Sequence, residues 1–279
     1  MSTSSPYTIV ITGASDGIGA AAAHIVRSAH PSWRILIHGR NEEKTRRVAR
    51  EVGADYFLAD FAHLDQVRAL AEWIRSTTDR IDVLANNAGG IFDGPVTTVD
   101  GHEKTFQVNH LAPTVLTHAL IDVLTASQAK VVATSSIANW LYGRLDFENF
   151  GQSKDFERNR AYGTAKLANI LFIQELAARY PQLSPVAYHP GVVATNFSAE
   201  AGGLMHRFYS SPLAGSVFGI KADAGGANLA YFIDGTPGIA WERGRYYNDK
   251  RRLGFINPQA RGKQVRHWEE TNKVLGLEW

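Results

Sequence analysis

The sequence contains no cysteine. Without a thiol there is no disulfide, no thiolate metal site and no cysteine nucleophile, so other side chains must supply the chemistry. Net charge is also scarce. The 29 Lys and Arg against 27 Asp and Glu leave a formal charge of +2, too small an imbalance to make a phosphate polymer the expected partner, so no nucleic-acid contact is expected. Long apolar runs are missing: the densest, residues 167–173, is broken by Asn169 and flanked by Lys166 and Gln174, well short of the roughly 18 apolar residues that mark a spanning helix. Residues 1–6 are polar and run straight into Tyr7-Thr-Ile-Val-Ile11 with no basic and then apolar leader; the expectation is a cytoplasmic protein without a membrane span. The ten histidines show no tight metal spacing, and no metal is expected.

What is present is material for a core. Hydrophobic residues make up 44% of the chain and charged residues 20%, a globular balance. Short β-branched runs recur at 8–11, 34–37, 55–58, 82–85, 130–133 and 186–189, with amphipathic stretches near 18–29, 41–51, 64–77, 103–125 and 162–179 between them. Such alternation predicts right-handed βα units, hence an α/β fold of Rossmann type: one domain over 1–279, with a doubly wound parallel sheet of about seven strands and helices on both faces. The first half, 6–130, is expected to bind a cofactor, and the second, 131–279, to carry catalysis and substrate binding. Residues 191–220 break the rhythm with glycines and scattered large apolar side chains, and 192–220 is expected to form a lid.

Directly after the first strand come Gly13, Ser15, Asp16, Gly17, Ile18 and Gly19, then an alanine-rich helical stretch. Glycines at a strand-to-helix turn let the backbone approach a pyrophosphate, whose charge the helix N-terminus favours; the competing reading is a plain tight turn. The second strand ends at His38-Gly39-Arg40, where an acidic residue would bind a ribose 2′-hydroxyl and repel a phosphate. Arg40 does the opposite, so NADP(H) is expected in preference to NAD(H). Asp60, closing the third strand, is placed either to accept from an adenine amino group or to cap the helix that starts near Leu64. Tyr162 and Lys166 stand i, i+4 on one helix and share a face, so that an ammonium beside a phenol favours the phenolate and makes Tyr162 an acid/base candidate; one ion pair is too weak to bring a phenol toward neutrality, so a nearby nicotinamide cation and partial desolvation are expected to contribute.

Taken in order, residues 12–19, Asn86-Asn87-Ala88-Gly89, Asn109, Ser135-Ser136, Tyr162-Gly-Thr-Ala-Lys166 and Pro190-Gly191 with Thr195 closely resemble the motifs of the short-chain dehydrogenase/reductase family. The surroundings Val108-Asn-His-Leu-Ala112, Lys166-Leu-Ala-Asn169 and His189-Pro-Gly191 are similar to its retinol dehydrogenase and protochlorophyllide reductase branch. The resemblance implies a catalytic set of Asn109, Ser136, Tyr162 and Lys166. In it, Tyr162 gives a proton to a carbonyl oxygen, Ser136 hydrogen-bonds that oxygen, Lys166 also holds the nicotinamide ribose, and Asn109 supports a relay water. It further implies cofactor contacts from Asn87, Ala88, Gly89, Pro190, Gly191, Val192 and Thr195, and leaves room for a homodimer.

Ser136 and Tyr162 are separated by a long aromatic-bearing stretch that includes Trp140, and the 192–220 segment carries Phe197, Met205 and Phe208. These residues are expected to line a pocket for a small hydrophobic carbonyl compound or alcohol. The expected activity is reversible hydride transfer between NADP(H) and such a molecule. Two alternatives stay open: a catalytically silent NADP-binding sensor of the same fold, and a C=C reductase.

Overall fold

A β-branched run buried on both faces becomes a central parallel strand, because helices cover it on either side. The computed structural model of the protein, which describes residues 6–151, 154–191 and 222–279, builds such a sheet. Its strands are β1 (Thr8–Ile11), β2 (Arg34–Gly39), β3 (Asp55–Leu58), β4 (Val83–Asn86), β5 (Lys130–Thr134), β6 (Ser184–Tyr188) and β7 (Tyr246–Tyr247). They lie in the order β3-β2-β1-β4-β5-β6-β7, all parallel. The helices are α1 (Gly17–Ala29), α2 (Glu42–Val52), α3 (Leu64–Thr77), α4 (Lys104–Phe106), α5 (Ala112–Ala119), α6 (Ile121–Ala126), α7 (Ala138–Tyr142), α8 (Arg158–Arg179), α9 (Ala222–Asp234) and α10 (Gln264–Leu275).

Successive strand residues point to opposite faces. Ile9, Ile11, Ile35, Ile37, Val83, Ala85 and Val132 therefore pack with Ala22, Val48 and Leu229 from α1, α2 and α9. Val10, Leu36, Leu84 and Val131 face Leu70, Val115 and Ile173 from α3, α5 and α8. On the first face α9 crosses α1 closely: a Cβ on Gly226 would come within 2.9 Å of the Ala22 amide nitrogen. The carbonyls that end α9 are capped by the buried Lys130 ammonium, which donates to Ile233, Asp234 and Gly235. On the second face α8 is buried on all sides, because α10 covers its outward face: Trp268 stacks on Phe172 with centroids 5.5 Å apart.

The stretch read as one helix over 103–125 is broken. Between α4 and α5 the chain widens into a π turn, Gln107–Leu111, and insertions of this kind gather at functional sites. Asn109 sits in it, fully buried. The strand order reverses between β1 and β4, and the crevice beyond the strand ends at such a reversal is where open α/β sheets bind ligands.

Candidate functional site

The β1–α1 turn opens onto that crevice. Gly13 has φ +66°, and a Cβ there would lie 2.7 Å from the Ala88 Cα; only glycine lets the loop pass this close to the β4 end. Three groups hold it. Thr12 Oγ1 accepts from the Asn87 and Ala88 amides at 3.0 Å each. Asn87 Nδ2 donates to the Thr12 and Gly13 carbonyls at 3.0 and 3.2 Å. His38, treated as ordinary in the sequence reading, accepts the Gly13 amide on Nδ1 at 3.3 Å and donates from Nε2 to the Ala59 carbonyl at 2.9 Å. A carbonyl can only accept, so the His38 tautomer is fixed, and burial pulls its pKa down to about 4.

These residues fit a dinucleotide pyrophosphate. The turn brings backbone and small side chains to the N-terminus of α1, with Ser15, Gly17 and Ile18 partly accessible. Asp16 sits at that terminus as the cap of α1, accepting the Gly17 amide at 2.8 Å and pairing with Lys44 at 2.7 Å, so its carboxylate is engaged by protein groups. Arg40 follows β2, exposed. Gly39 beside it admits no side chain: a Cβ would meet Thr45 Oγ1 and lie 2.7 Å from the Ser15 Cβ. Asp60 accepts the Ala62 amide at 3.0 Å, whereas the Leu64 amide at the start of α3 is taken by Asp100 at 3.0 Å. The capping reading of Asp60 thus passes to Asp100.

Beyond β5 and on α8, the remaining candidates meet. Tyr162 is largely buried, with Ser136 near enough to its phenol to offset part of the effect of burial on it. Lys166 Nζ lies 5.4 Å from the Tyr162 ring centroid and donates to the Thr134 carbonyl at 3.2 Å. Asn109 Nδ2 donates to Gly90 O at 2.7 Å and Thr105 O at 2.8 Å, and its Oδ1 accepts the Gly90 amide at 3.1 Å. Gly89 stands against both, since a Cβ there would come within 3.1 Å of Lys166 Nζ. Ser135 Oγ donates to Lys166 O at 2.8 Å.

The electrostatics correct one expectation. Without ligand, burial pushes the Tyr162 phenol well above its ordinary value, partly offset by Ser136, and pulls the Lys166 amine down to about 7. Desolvation opposes the charged form of both groups, so the partial desolvation expected to help form the phenolate works against it in the ligand-free protein.

Pro190 and Gly191 end β6 near this cluster. Asn228 Nδ2, from α9, donates to the Pro190 carbonyl at 3.3 Å and to Asp249 O at 3.2 Å, a tie that sequence spacing gave no sign of. Trp140 is exposed on α7 and tilts against exposed Phe255 with centroids 5.7 Å apart. Buried Asn139 joins that wall to the serine by donating to Ser136 O at 2.8 Å and Phe255 O at 3.2 Å. Val192, Thr195, Phe197, Met205, Phe208 and the lid at 192–220 lie outside the described residues. Among the described residues no cluster of His, Asp and Glu could hold a metal ion, and no helix is long and apolar enough to cross a membrane.

Three fully buried imidazoles make the fold acid-sensitive. His38 and His110 are held near 4 and His267 well below its ordinary value, each by burial. Unfolded chains take up these protons first as pH falls below about 6.5, so stability is lost progressively down to about pH 4, by up to about 1.4 kcal/mol per pH unit for each ring. Among the described residues neither ring nitrogen of His267 has a hydrogen-bond partner, so His267→Phe removes an unsatisfied group at little cost in shape. Urea midpoints are expected to fall from pH 7 to pH 5 in the parent chain and to fall less in this variant; parallel curves contradict the assignment.

The short chain dehydrogenase family model matches residues 7–203. A protein of Streptomyces sp. strain C5 named as a daunorubicin C-13 ketoreductase is 37% identical over 96% of this chain and 92% of its own length. Human retinol dehydrogenase 13 is 31% identical over 97% of this chain and 85% of its own length. Among solved structures, an uncharacterized protein from Mycobacterium paratuberculosis gives a TM-score of 0.74 at 26% identity, covering 98% of this chain and 96% of its own.

Proposed function

The chain belongs to the short-chain dehydrogenase/reductase family, and from that premise we propose that it is an NADP(H)-dependent oxidoreductase interconverting a hydrophobic ketone or aldehyde and its alcohol. The observation that carries the reading is the meeting of Ser136, Tyr162, Lys166 and Asn109 beside the glycine turn: the Tyr162 phenol has Ser136 near it and Lys166 Nζ 5.4 Å from its ring centroid. Gly13, Ser15, Gly17, Ile18 and Gly19 would hold the pyrophosphate, Arg40 the 2′-phosphate, Asn87 to Gly89 and Pro190-Gly191 the nicotinamide end, with Lys166 on its ribose. The nicotinamide, when bound, supplies or takes the hydride.

The chain's own part is to place and protonate. Ser136 orients the substrate oxygen, and Tyr162 gives it the proton in reduction or takes it in oxidation. Lys166 stabilises the phenolate that results, in a site from which water is largely excluded. Burial keeps the phenol protonated until then, which suits an acid. The exposed Trp140 and Phe255 offer an aromatic wall to a bulky apolar substrate. The polycyclic ketone and the retinoid in the names of the two relatives are of that chemical class.

The test is NADPH consumption with a panel of hydrophobic aldehydes and ketones, repeated with NADH. Bulky ketones turned over with NADPH support the reading, and binding of NADPH without turnover of any of them contradicts it. Because Gly39 has no room for a carboxylate, the cofactor preference is best tested at Arg40 alone. Arg40→Leu is expected to lower the NADP-over-NAD ratio of kcat/KM about tenfold to a hundredfold through the NADPH term; an unchanged ratio places phosphate recognition elsewhere.

A further inference from the structure

Behind Lys166 lies a second polar layer that the proposed chemistry does not use. Asn169, three residues after Lys166 on α8, donates from Nδ2 to two backbone carbonyls at once: Asn109 O in the π turn at 3.0 Å and Thr134 O at the end of β5 at 3.2 Å. Thr134 O is also the acceptor for Lys166 Nζ. One side chain thus joins three separate elements directly beneath the amine.

Both Asn169 protons are committed to carbonyls, so its Oδ1 must face a donor. It meets His110 Nδ1 at 3.1 Å, which fixes the proton on Nδ1. The other ring nitrogen, Nε2, lies 3.3 Å from the Thr271 hydroxyl on α10. His110 is fully buried, and burial together with the Lys166 charge keeps it neutral, near 4. His267 packs behind it with centroids 4.9 Å apart. An apolar cluster would fill this space without the desolvation cost of an amide and an imidazole, so the polar pair needs a reason beyond packing.

We propose that Asn169 and His110 are positioning residues for Lys166: the Asn169 amide fixes the Thr134 carbonyl against which the amine is seated and ties it to the Asn109 carbonyl of the π turn, and His110 fixes which way that amide points. An amide turned end for end would set its oxygen against two carbonyl oxygens, and the Nδ1 proton of His110 selects the productive orientation. Without that hold, the Thr134 carbonyl is released to draw the Lys166 amine away from the Tyr162 ring. The inference rests on the proposed roles of Tyr162 and Lys166.

The two nitrogens of His110 can be tested separately, because an asparagine side chain places its amide where Nδ1 stands and a glutamine places it where Nε2 stands. Both replacements are polar and close in size to the imidazole. His110→Asn is expected to keep kcat within about twofold, and His110→Gln to lower it about tenfold, with KM for NADPH and the melting temperature matched between the two. Asn169→Leu is expected to lower kcat by about a hundredfold while NADPH binding, followed by fluorescence, persists. Nitrogen NMR of the ligand-free protein at pH 7 should show His110 as the Nδ1–H tautomer. Equal activity of the Asn and Gln variants, full activity of Asn169→Leu, or an Nε2–H or doubly protonated His110 overturns the proposal. Activity surviving in Tyr162→Phe would instead overturn the reading on which it rests.

Discussion

Tyr162→Phe is expected to bind NADPH as the parent chain does and to lose turnover by about 10²–10⁴, the range for removal of a general acid. The change deletes one oxygen from a largely buried ring near Ser136. The phenyl ring keeps the packing, and the glycine turn is held by Thr12, Asn87 and His38 without help from Tyr162. Affinity for the cofactor and turnover should therefore separate cleanly. Fluorescence titration of NADPH together with steady-state reduction of a bulky ketone measures both. Retained turnover means that the proton comes from another group; lost NADPH binding means that the hydroxyl serves the cofactor.

Lys166→Met is expected to abolish most turnover, by at least about 10², and at the same time to make the ligand-free protein more stable. The amine is 1% exposed, and burial has pulled its pKa from 10.5 to about 7. A base whose pKa is lower in the folded state weakens the fold. The full penalty applies below about pH 7, where folding must bury the charge or strip the proton, and it fades as pH rises toward the unfolded value near 10.5. The fall from 10.5 to about 7 corresponds to roughly 5 kcal/mol, of which repacking a flexible methionine in the same volume should recover on the order of half. The Thr134 carbonyl keeps a donor in Asn169. Melting temperature at pH 6 should therefore rise by several degrees, on the order of 5 °C, and the gain should shrink by pH 10. A variant that is inactive and also less stable at pH 6 would show that the amine contributes to the fold, contrary to this account.

Much of this architecture was legible in the residues. Strands read at 8–11 and 55–58 and the helix at 64–77 match β1, β3 and α3 in extent, because β-branched runs between turn residues and a 3.6-residue apolar period are local signals. Tyr162 and Lys166 could be named from their spacing on a helix and Ser136 and Asn109 from the family resemblance, and the fold brings them together. The misses share a cause. β7 has only two residues, Tyr246 and Tyr247, and is a strand solely because β6 lies beside it. The π turn at Gln107–Leu111 interrupts a pattern that reads as continuous helix. His38, Asn139, Asn169 and Asn228 act through partners from 3 to 118 positions away, the last span being that between Asn139 and Asn257, and no periodicity encodes such contacts. Residue types and spacing suggest a Tyr162 phenol drawn toward neutrality by the lysine, a bound nicotinamide cation and partial desolvation together. Burial depth, which spacing on a helix does not report, sets the opposite direction in the ligand-free protein.

The central claim is that this chain moves a hydride between NADPH and the carbon of a hydrophobic carbonyl group. It is tested most directly with NADPH carrying deuterium on the transferred position of the nicotinamide ring, a bulky aromatic ketone as acceptor, and mass and NMR analysis of the product. The account predicts one deuterium per product molecule, on the carbinol carbon, in the parent chain, and next to no product with Tyr162→Phe. With a conjugated enone as acceptor, deuterium on the β carbon and an intact carbonyl would identify a C=C reductase, and NADPH that binds but keeps its label through every ketone tried would contradict the assignment of this protein as a carbonyl-reducing enzyme.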